Sequence, residues 1–130
     1  MNIRVLLVDD HPMMRDALRW MLASEQDIEV VGEAGDGCSM LELVPALLPD
    51  VVVMDVNMPR MNGIEATQRL LADYSQIKVI ALSAFDIKQY VQQMLDAGAA
   101  AYLSKIEAAN ELPHALRAVM AGTKIPIVRY

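Results

Sequence analysis

The sequence predicts a doubly wound α/β fold, a five-stranded parallel sheet with helices on both faces, from three observations. Five apolar runs of strand length recur along 130 residues. Segments of helical length and period separate them, and turn residues stand at the junctions. Parallel neighbours need crossover connections, and those crossovers are right-handed, so alternating strands and helices meet both conditions. The length suits one domain with a single core rather than two.

Val5-Leu6-Leu7-Val8 is the first strand, closed by Asp9-Asp10. Met14, Ala17, Leu18, Met21 and Leu22 then make the apolar stripe of a first helix. Ile28-Glu29-Val30-Val31 is the second strand, and Asp36-Gly37 opens a helix with the stripe Met40, Leu41, Val44 and Leu48. Pro49-Asp50 separates that helix from Val51-Val52-Val53-Met54, a run apolar enough for a fully buried strand, which ends in Asp55. Pro59 and Gly63 forbid a smooth continuation, and Ile64, Thr67, Leu70 and Leu71 repeat the helical pattern less cleanly. The fourth strand, Val79-Ile80-Ala81-Leu82, is followed by Ser83 and by a helix through Val91, Met94 and Leu95 that Gly98 stops. The fifth, Ala100-Ala101-Tyr102-Leu103, is followed by Ser104-Lys105 and a helix through Leu112, Ala115, Leu116 and Val119. Asn110 as its cap keeps Pro113 in the first turn, where a missing N–H does least harm. Residues 123–130 fall outside the alternation, as a tail or the start of a connection.

Composition narrows the function. The chain is 55% hydrophobic but only 5% aromatic, so its core must be built from Val, Leu, Ile, Ala and ten Met. A net charge of −6 argues against a direct grip on nucleic acid or an anionic membrane, since both rely on Lys and Arg. One cysteine, Cys38, excludes an internal disulfide and reads as a packing residue. His11 and His114 lack zinc-ligand spacing. The apolar run after Met1-Asn2-Ile3-Arg4 is too short for a signal-peptide core, and nothing reaches transmembrane length, so a cytoplasmic location is expected.

Asp55 suits a turn cap as well as a reactive carboxylate, and its own stretch does not choose between them. The other strand ends do. Val8 is followed by Asp9-Asp10, Leu82 by Ser83 and Leu103 by Ser104-Lys105, and in an open parallel sheet these positions share the carboxyl edge where ligands bind. With the first and third strands adjacent, Asp9, Asp10 and Asp55 crowd three carboxylates together, which asks for a cation. An all-oxygen set favours Mg2+. Lys105 offers a movable charge and Ser83 a hydroxyl, both suited to a phosphoryl group. Taken singly, Asp9 and Asp10 could cap the first helix, Ser83 the fourth, and Lys105 could be a solvated loop residue. Their coincidence at one edge favours a site.

Four segments carry a family resemblance: Val8-Asp9-Asp10-His11-Pro12, Asp27-Ile28-Glu29-Val30-Val31-Gly32-Glu33, Asp55-Val56-Asn57-Met58-Pro59 and Gly98-Ala99-Ala100-Ala101-Tyr102-Leu103-Ser104-Lys105. Over residues 2–122 the chain resembles the receiver domain of two-component response regulators, of the NarL/LuxR type, with its flavodoxin-like (CheY-like) strand order 2-1-3-4-5. The resemblance implies a receiver domain over residues 1–122 and a tail or linker over 123–130. It makes Asp55 the acceptor of a phosphoryl group from a sensor histidine kinase. Asp10 would bind Mg2+ directly, Asp9 through water, and Asn57 through its backbone carbonyl. Ser83 and Lys105 would hold the phosphoryl oxygens, and Tyr102 would swing inward with Ser83 as the switch. It further implies a signalling domain that catalyses only its own phosphorylation and dephosphorylation. The output would be transcription, through a helix-turn-helix DNA-binding domain that these 130 residues do not include. The alternative is a stand-alone receiver acting as a phosphorelay or protein-interaction module. Ile106 stands where many receivers place proline, and a cis bond there would cost about 2.5–4 kcal/mol, so trans is expected.

Phe85 beside the site, and Asn57 on the family pattern, are expected to tune the lifetime of the acyl phosphate. Met13 and Trp20 flank the first helix's stripe and could serve as a homodimer contact, although scattered exposed apolar residues are normal. An aspartyl-phosphate phosphatase of the haloacid dehalogenase kind would need Asp-x-Asp and a cap insertion, where this chain has Asp55-Val56-Asn57. An FMN carrier would need a phosphate loop where Asp9-Asp10-His11-Pro12 would repel phosphate. A degenerate receiver would have no need of Asp9, Asp10, Asp55, Ser83 and Lys105 together.

Overall fold

A computed structural model of the chain describes residues 2–84, 88–122 and 125–129. Strands β1 (Ile3–Val8), β2 (Ile28–Ala34), β3 (Val51–Asp55), β4 (Lys78–Ser83) and β5 (Ala101–Ser104) alternate with helices α1 (Pro12–Leu22), α2 (Gly37–Leu47), α3 (Gly63–Asp73), α4 (Lys88–Asp96) and α5 (Ala108–Met120). A short β6 (Ile127–Arg129) follows. All pairings are parallel, in the order β2-β1-β3-β4-β5-β6. The predicted five-strand order is therefore present, with one strand added at its β5 edge. Ile127-Val128 is too short a run to be distinguished from a loop by pattern alone.

Period-two alternation divides the core into two layers. Leu6, Val8, Val52, Met54, Val79, Ala81 and Tyr102 pack with Met40, Val44, Ala66, Leu70, Val91 and Met94 of α2, α3 and α4. Val5, Leu7, Val51, Val53, Ile80, Leu82, Ala101 and Leu103 pack with Leu18, Leu22, Leu112, Ala115, Leu116 and Val119 of α1 and α5. The central strand β3 is buried along its whole length, as a sheet covered on both faces requires.

Local chemistry sets the element ends. Asp36 caps α2 by accepting the Ser39 N–H at 2.8 Å, and Asn62 caps α3 through the Glu65 N–H at 2.9 Å. Gly98, at φ 112°, takes the left-handed turn after α4. One boundary differs from expectation: α5 begins at Ala108, so Asn110 is not its cap and Pro113 lies inside the helix. Ser104 Oγ accepts the Glu107 N–H at 3.1 Å and starts the turn early. Pro113 leaves the carbonyl of exposed Ala109 without a helical donor, where water can serve it. No cis peptide occurs among the described residues, so Lys105-Ile106 is trans as expected. No helix among them is long and apolar enough to cross a membrane.

Candidate functional site

The register of the sheet brings the predicted residues together. Val8 pairs with Met54, Asp55 with Leu82, and Ser83 with Ser104, so Asp9, Asp55, Ser83 and Lys105 all leave the sheet at its carboxyl edge. Asp9 and Asp55 are buried, at 2% and 4% exposure, and Ser83 is buried at the end of β4. Lys105 is tied to β4 through its N–H, which donates to the Ser83 carbonyl at 2.8 Å. The four apolar residues before Asp55 are inside the core, so its carboxylate emerges from the sheet into a loop it cannot leave.

That loop is shaped by close approach. A Cβ at Gly63 would stand 2.2 Å from the Asp55 carbonyl oxygen, so only glycine fits there. The Gly63 N–H donates to the Val56 carbonyl at 2.8 Å and closes the loop. Within it, the Asn57 N–H reaches toward Asp55 Oδ1 at 3.4 Å while the Asn57 residue is exposed. Arg60, left-handed at φ 66°, pairs with Asp36 and fastens the loop to the start of α2.

Asp9, Asp10, His11 and Asp55 each present a ligand atom within 4.8 Å of the others. Lys105 Nζ lies 2.8 Å from Asp9 Oδ2 and 3.6 Å from Asp55 Oδ2, so the lysine favours Asp9. The nearer contact is an ion pair without the alignment of a hydrogen bond, and Asp9 Oδ2 and Asp10 Oδ1 are both buried with no hydrogen-bond partner. The Asp55 carboxyl is pushed up to about 6, first by burial and then by the Asp9 charge, against the opposing pull of Lys105. One lysine does not balance three carboxylates. Buried, unbonded oxygens in such a set fit a hard divalent cation, which oxygen ligands and a charge excess both favour.

The comparisons with known proteins decide the family. The model of the response regulator receiver domain matches residues 5–117. The chain belongs to the response regulator receiver domain family. LiaR, a transcriptional regulatory protein of Bacillus subtilis, is 44% identical over 120 residues, which are 92% of this chain and 57% of LiaR. A LuxR-family two-component response regulator from an Aurantimonas species superposes with a TM-score of 0.90 at 30% identity, covering 96% of this chain and 89% of its own. The signal receiver domain of a NarL response regulator from Mycobacterium tuberculosis gives 0.86 at 36% identity, covering 94% and 98%. This receiver is of the NarL/LuxR type. It spans about half the length of the curated relatives it matches.

The receiver gathers Asp9, Asp10, Asp55, Ser83 and Lys105 at one edge, with Asn57 two residues beyond Asp55. Tyr102 is fully buried on β5, opposite Ala81 and Val128. Phe85 lies outside the described residues. Asp9 and Asp10 do not cap α1, whose cap is His11 without a side-chain bond. Instead Asp9 Oδ1 accepts the His11 N–H at 2.8 Å in a tight turn. Two further residues touch the cluster that sequence reasoning passed over. His11 Nδ1 lies 3.1 Å from oxygens of both Asp9 and Asp10, and Arg15 Nη1 donates to the Asp9 carbonyl at 2.5 Å. For His11 the signal was adjacency to Asp10; for Arg15 it was a basic residue one turn into a helix that starts at an acidic cluster.

Proposed function

We propose that Asp55 accepts a phosphoryl group from the phosphohistidine of a sensor histidine kinase, and that the chain's own residues catalyse that transfer and the later hydrolysis. The observation that carries this is a buried Asp55 carboxylate with two further carboxylates and one ammonium gathered against it. Asp10, Asp9 through water, Asp55 and the Asn57 backbone carbonyl would hold Mg2+. When bound, it supplies the charge neutralisation that phosphoryl transfer needs. Asp55 attacks phosphorus with one carboxylate oxygen as the bond to the histidine nitrogen breaks, and the edge supplies alignment. Lys105 turns from Asp9 toward the new phosphoryl oxygens, and the Ser83 hydroxyl donates to another.

Phosphorylation adds about −1.5 to −2 charges. Ser83 and Lys105 then have a partner that exists in one state only, and this differential binding drives the switch. Moving a population from 1:99 to 99:1 takes about 5.5 kcal/mol. Tyr102, fully buried on β5, is the switch aromatic. Asn57 and Phe85, by their positions after Asp55 and Ser83, tune how long the acyl phosphate survives.

Residues 1–122 are the phosphoacceptor unit, and residues 123–130 are a tail or the start of a linker to an output domain, with Ile127–Arg129 paired to β5. The output is transcription through a DNA-binding domain, supported by the transcriptional regulators among the relatives, and the domain works in the cytoplasm beside its kinase.

Incubation with a small phosphodonor, with and without Mg2+, read by intact mass, tests the assignment. One phosphate per chain is expected for wild type with Mg2+, and none for Asp55→Asn. A phosphate that survives the substitution or ignores Mg2+ would contradict it.

A further inference from the structure

Asp9 leaves β1 with its N–H still in the sheet, donating to the Ala34 carbonyl at 3.1 Å. Its own carbonyl is taken by a side chain, the Arg15 guanidinium of α1, at 2.5 Å. Glu33 of β2 holds that guanidinium from the other side, its Oε1 accepting the Arg15 Nε–H at 3.1 Å. The second Glu33 oxygen pairs with Arg19 at 2.9 Å. The Arg15 side chain is only 19% exposed. A planar guanidinium serves two acceptors in fixed coplanar directions, whereas the three donors of an ammonium rotate about its stem.

The Asp9 carbonyl and the Asp10 N–H belong to one rigid peptide plane. Fixing the carbonyl therefore fixes the plane from which both side chains project. The guanidinium also brings positive charge to a crowded acidic cluster while bonding only a main-chain oxygen there. Lys105, by contrast, sits against a carboxylate oxygen of Asp9. Arg15 thus steadies the cluster without occupying an oxygen that a cation would use.

We propose that Arg15, held by Glu33, is a positioning residue that sets the Asp9-Asp10 peptide plane and through it the divalent-cation affinity of the acidic cluster. This rests on the reading of that cluster as a Mg2+ site. Glu33 orients the guanidinium, and Arg19 divides its charge between the far oxygen of Glu33 and Asp16.

Calorimetric titration of the unphosphorylated 130-residue chain with magnesium chloride tests it, on wild type, Arg15→Met, Arg15→Lys, Glu33→Gln and Arg19→Met. Arg15→Met is expected to weaken Mg2+ binding about tenfold or more, the usual effect of losing a group that orients a ligand. Arg15→Lys should recover only part of that loss, and Glu33→Gln should shift affinity in the same direction by less. Arg19→Met should leave it unchanged. Intact-mass phosphorylation of Arg15→Met should return toward the wild-type rate once Mg2+ is saturating. If Arg15→Met does not fold, Glu33→Gln carries the test. Unchanged Mg2+ affinity in Arg15→Met overturns the proposal, and so does an equal loss in Arg19→Met, which would mark general packing between α1 and β2. Absence of Mg2+ binding in wild type would overturn the metal reading itself, an outcome distinct from either.

Discussion

The two ends of the sheet hold carboxylates of one kind in opposite circumstances. At the amino end, Arg117 of α5 reaches Asp27 at 2.7 Å and Glu25 at 2.6 Å, and the Asp27 carboxyl is held down to about 2 by the Arg117 hydrogen bond. Beside it the Arg4 N–H donates to Asp50 at 2.9 Å, and the Arg4 guanidinium donates to the Leu47 carbonyl at 2.7 Å. At the carboxyl end one lysine stands against both Asp9 and Asp55 with Asp10 close beside them, and Asp55 is pushed up to about 6. At the amino end Glu25, Asp27 and Asp50 each accept a hydrogen bond from an arginine residue. Pairing is incomplete at the carboxyl edge, where Asp9 Oδ2 and Asp10 Oδ1 are buried without a hydrogen-bond partner.

Four experiments break or sharpen that contrast. The largest effect is expected from Gly63→Ala, because the Asp55 carbonyl 2.2 Å from the new Cβ is backbone and cannot rotate away. A loss of about 3 kcal/mol is expected, read as a lower urea midpoint. A wild-type midpoint would mean that the β3–α3 loop can retreat.

Mg2+ at a hundred times its dissociation constant should stabilise wild type by about 2.7 kcal/mol, because it binds the folded cluster and not the unfolded chain. Asp10→Asn should lose most of that gain in a thermal melt. An equal gain in both proteins would place the cation elsewhere.

Without divalent ions, Asp55→Asn should be more stable than wild type at pH 7 by about 2 kcal/mol, the full conversion of about 3 kcal/mol being reduced by solvent screening at the sheet edge. The folded Asp55 value lies above the unfolded one of about 3.9, so ionisation opposes folding. The advantage should be absent below about pH 4, grow through the window up to about pH 6, and stay level above it. A difference that does not change with pH would deny Asp55 its raised value.

The smallest effect belongs to Arg117→Met, since exposed ion pairs contribute little. Asp27 is depressed in the folded state, so its contribution is present above about pH 4 and disappears as pH falls through about 2. The melting temperatures of Arg117→Met and wild type should therefore differ slightly at pH 7 and converge by pH 2. A gap that widens in acid would rule out the Arg117–Asp27 pair as its source.

The strands and the site edge were legible because they are made of contiguous signals, an apolar run followed at once by a polar residue. Asp55 and Ser83 needed only the knowledge that parallel strands end on one side. What escaped was whatever depends on reach. Arg15 and Arg60 act through long side chains whose targets, the Asp9 carbonyl and Asp36, are distant in sequence or belong to the backbone. The preference of Lys105 for Asp9 over Asp55 depends on differences under 1 Å, which no pattern encodes. The start of α5 turned on one hydroxyl, Ser104 Oγ. Strand β6 owes its place to an open edge on β5 more than to its own sequence.

That last strand has a mechanical consequence. Ile127, Val128 and Arg129 lie beside Ala101, Tyr102 and Leu103 and run in the same direction. A pull on Arg129 along the strand axis loads the whole β5–β6 ladder in shear, so its bonds share the force and yield together. A sideways pull opens them one at a time. Val128 is the residue opposite Tyr102. A load on β6 along its axis therefore passes to the strand that carries the fully buried Tyr102.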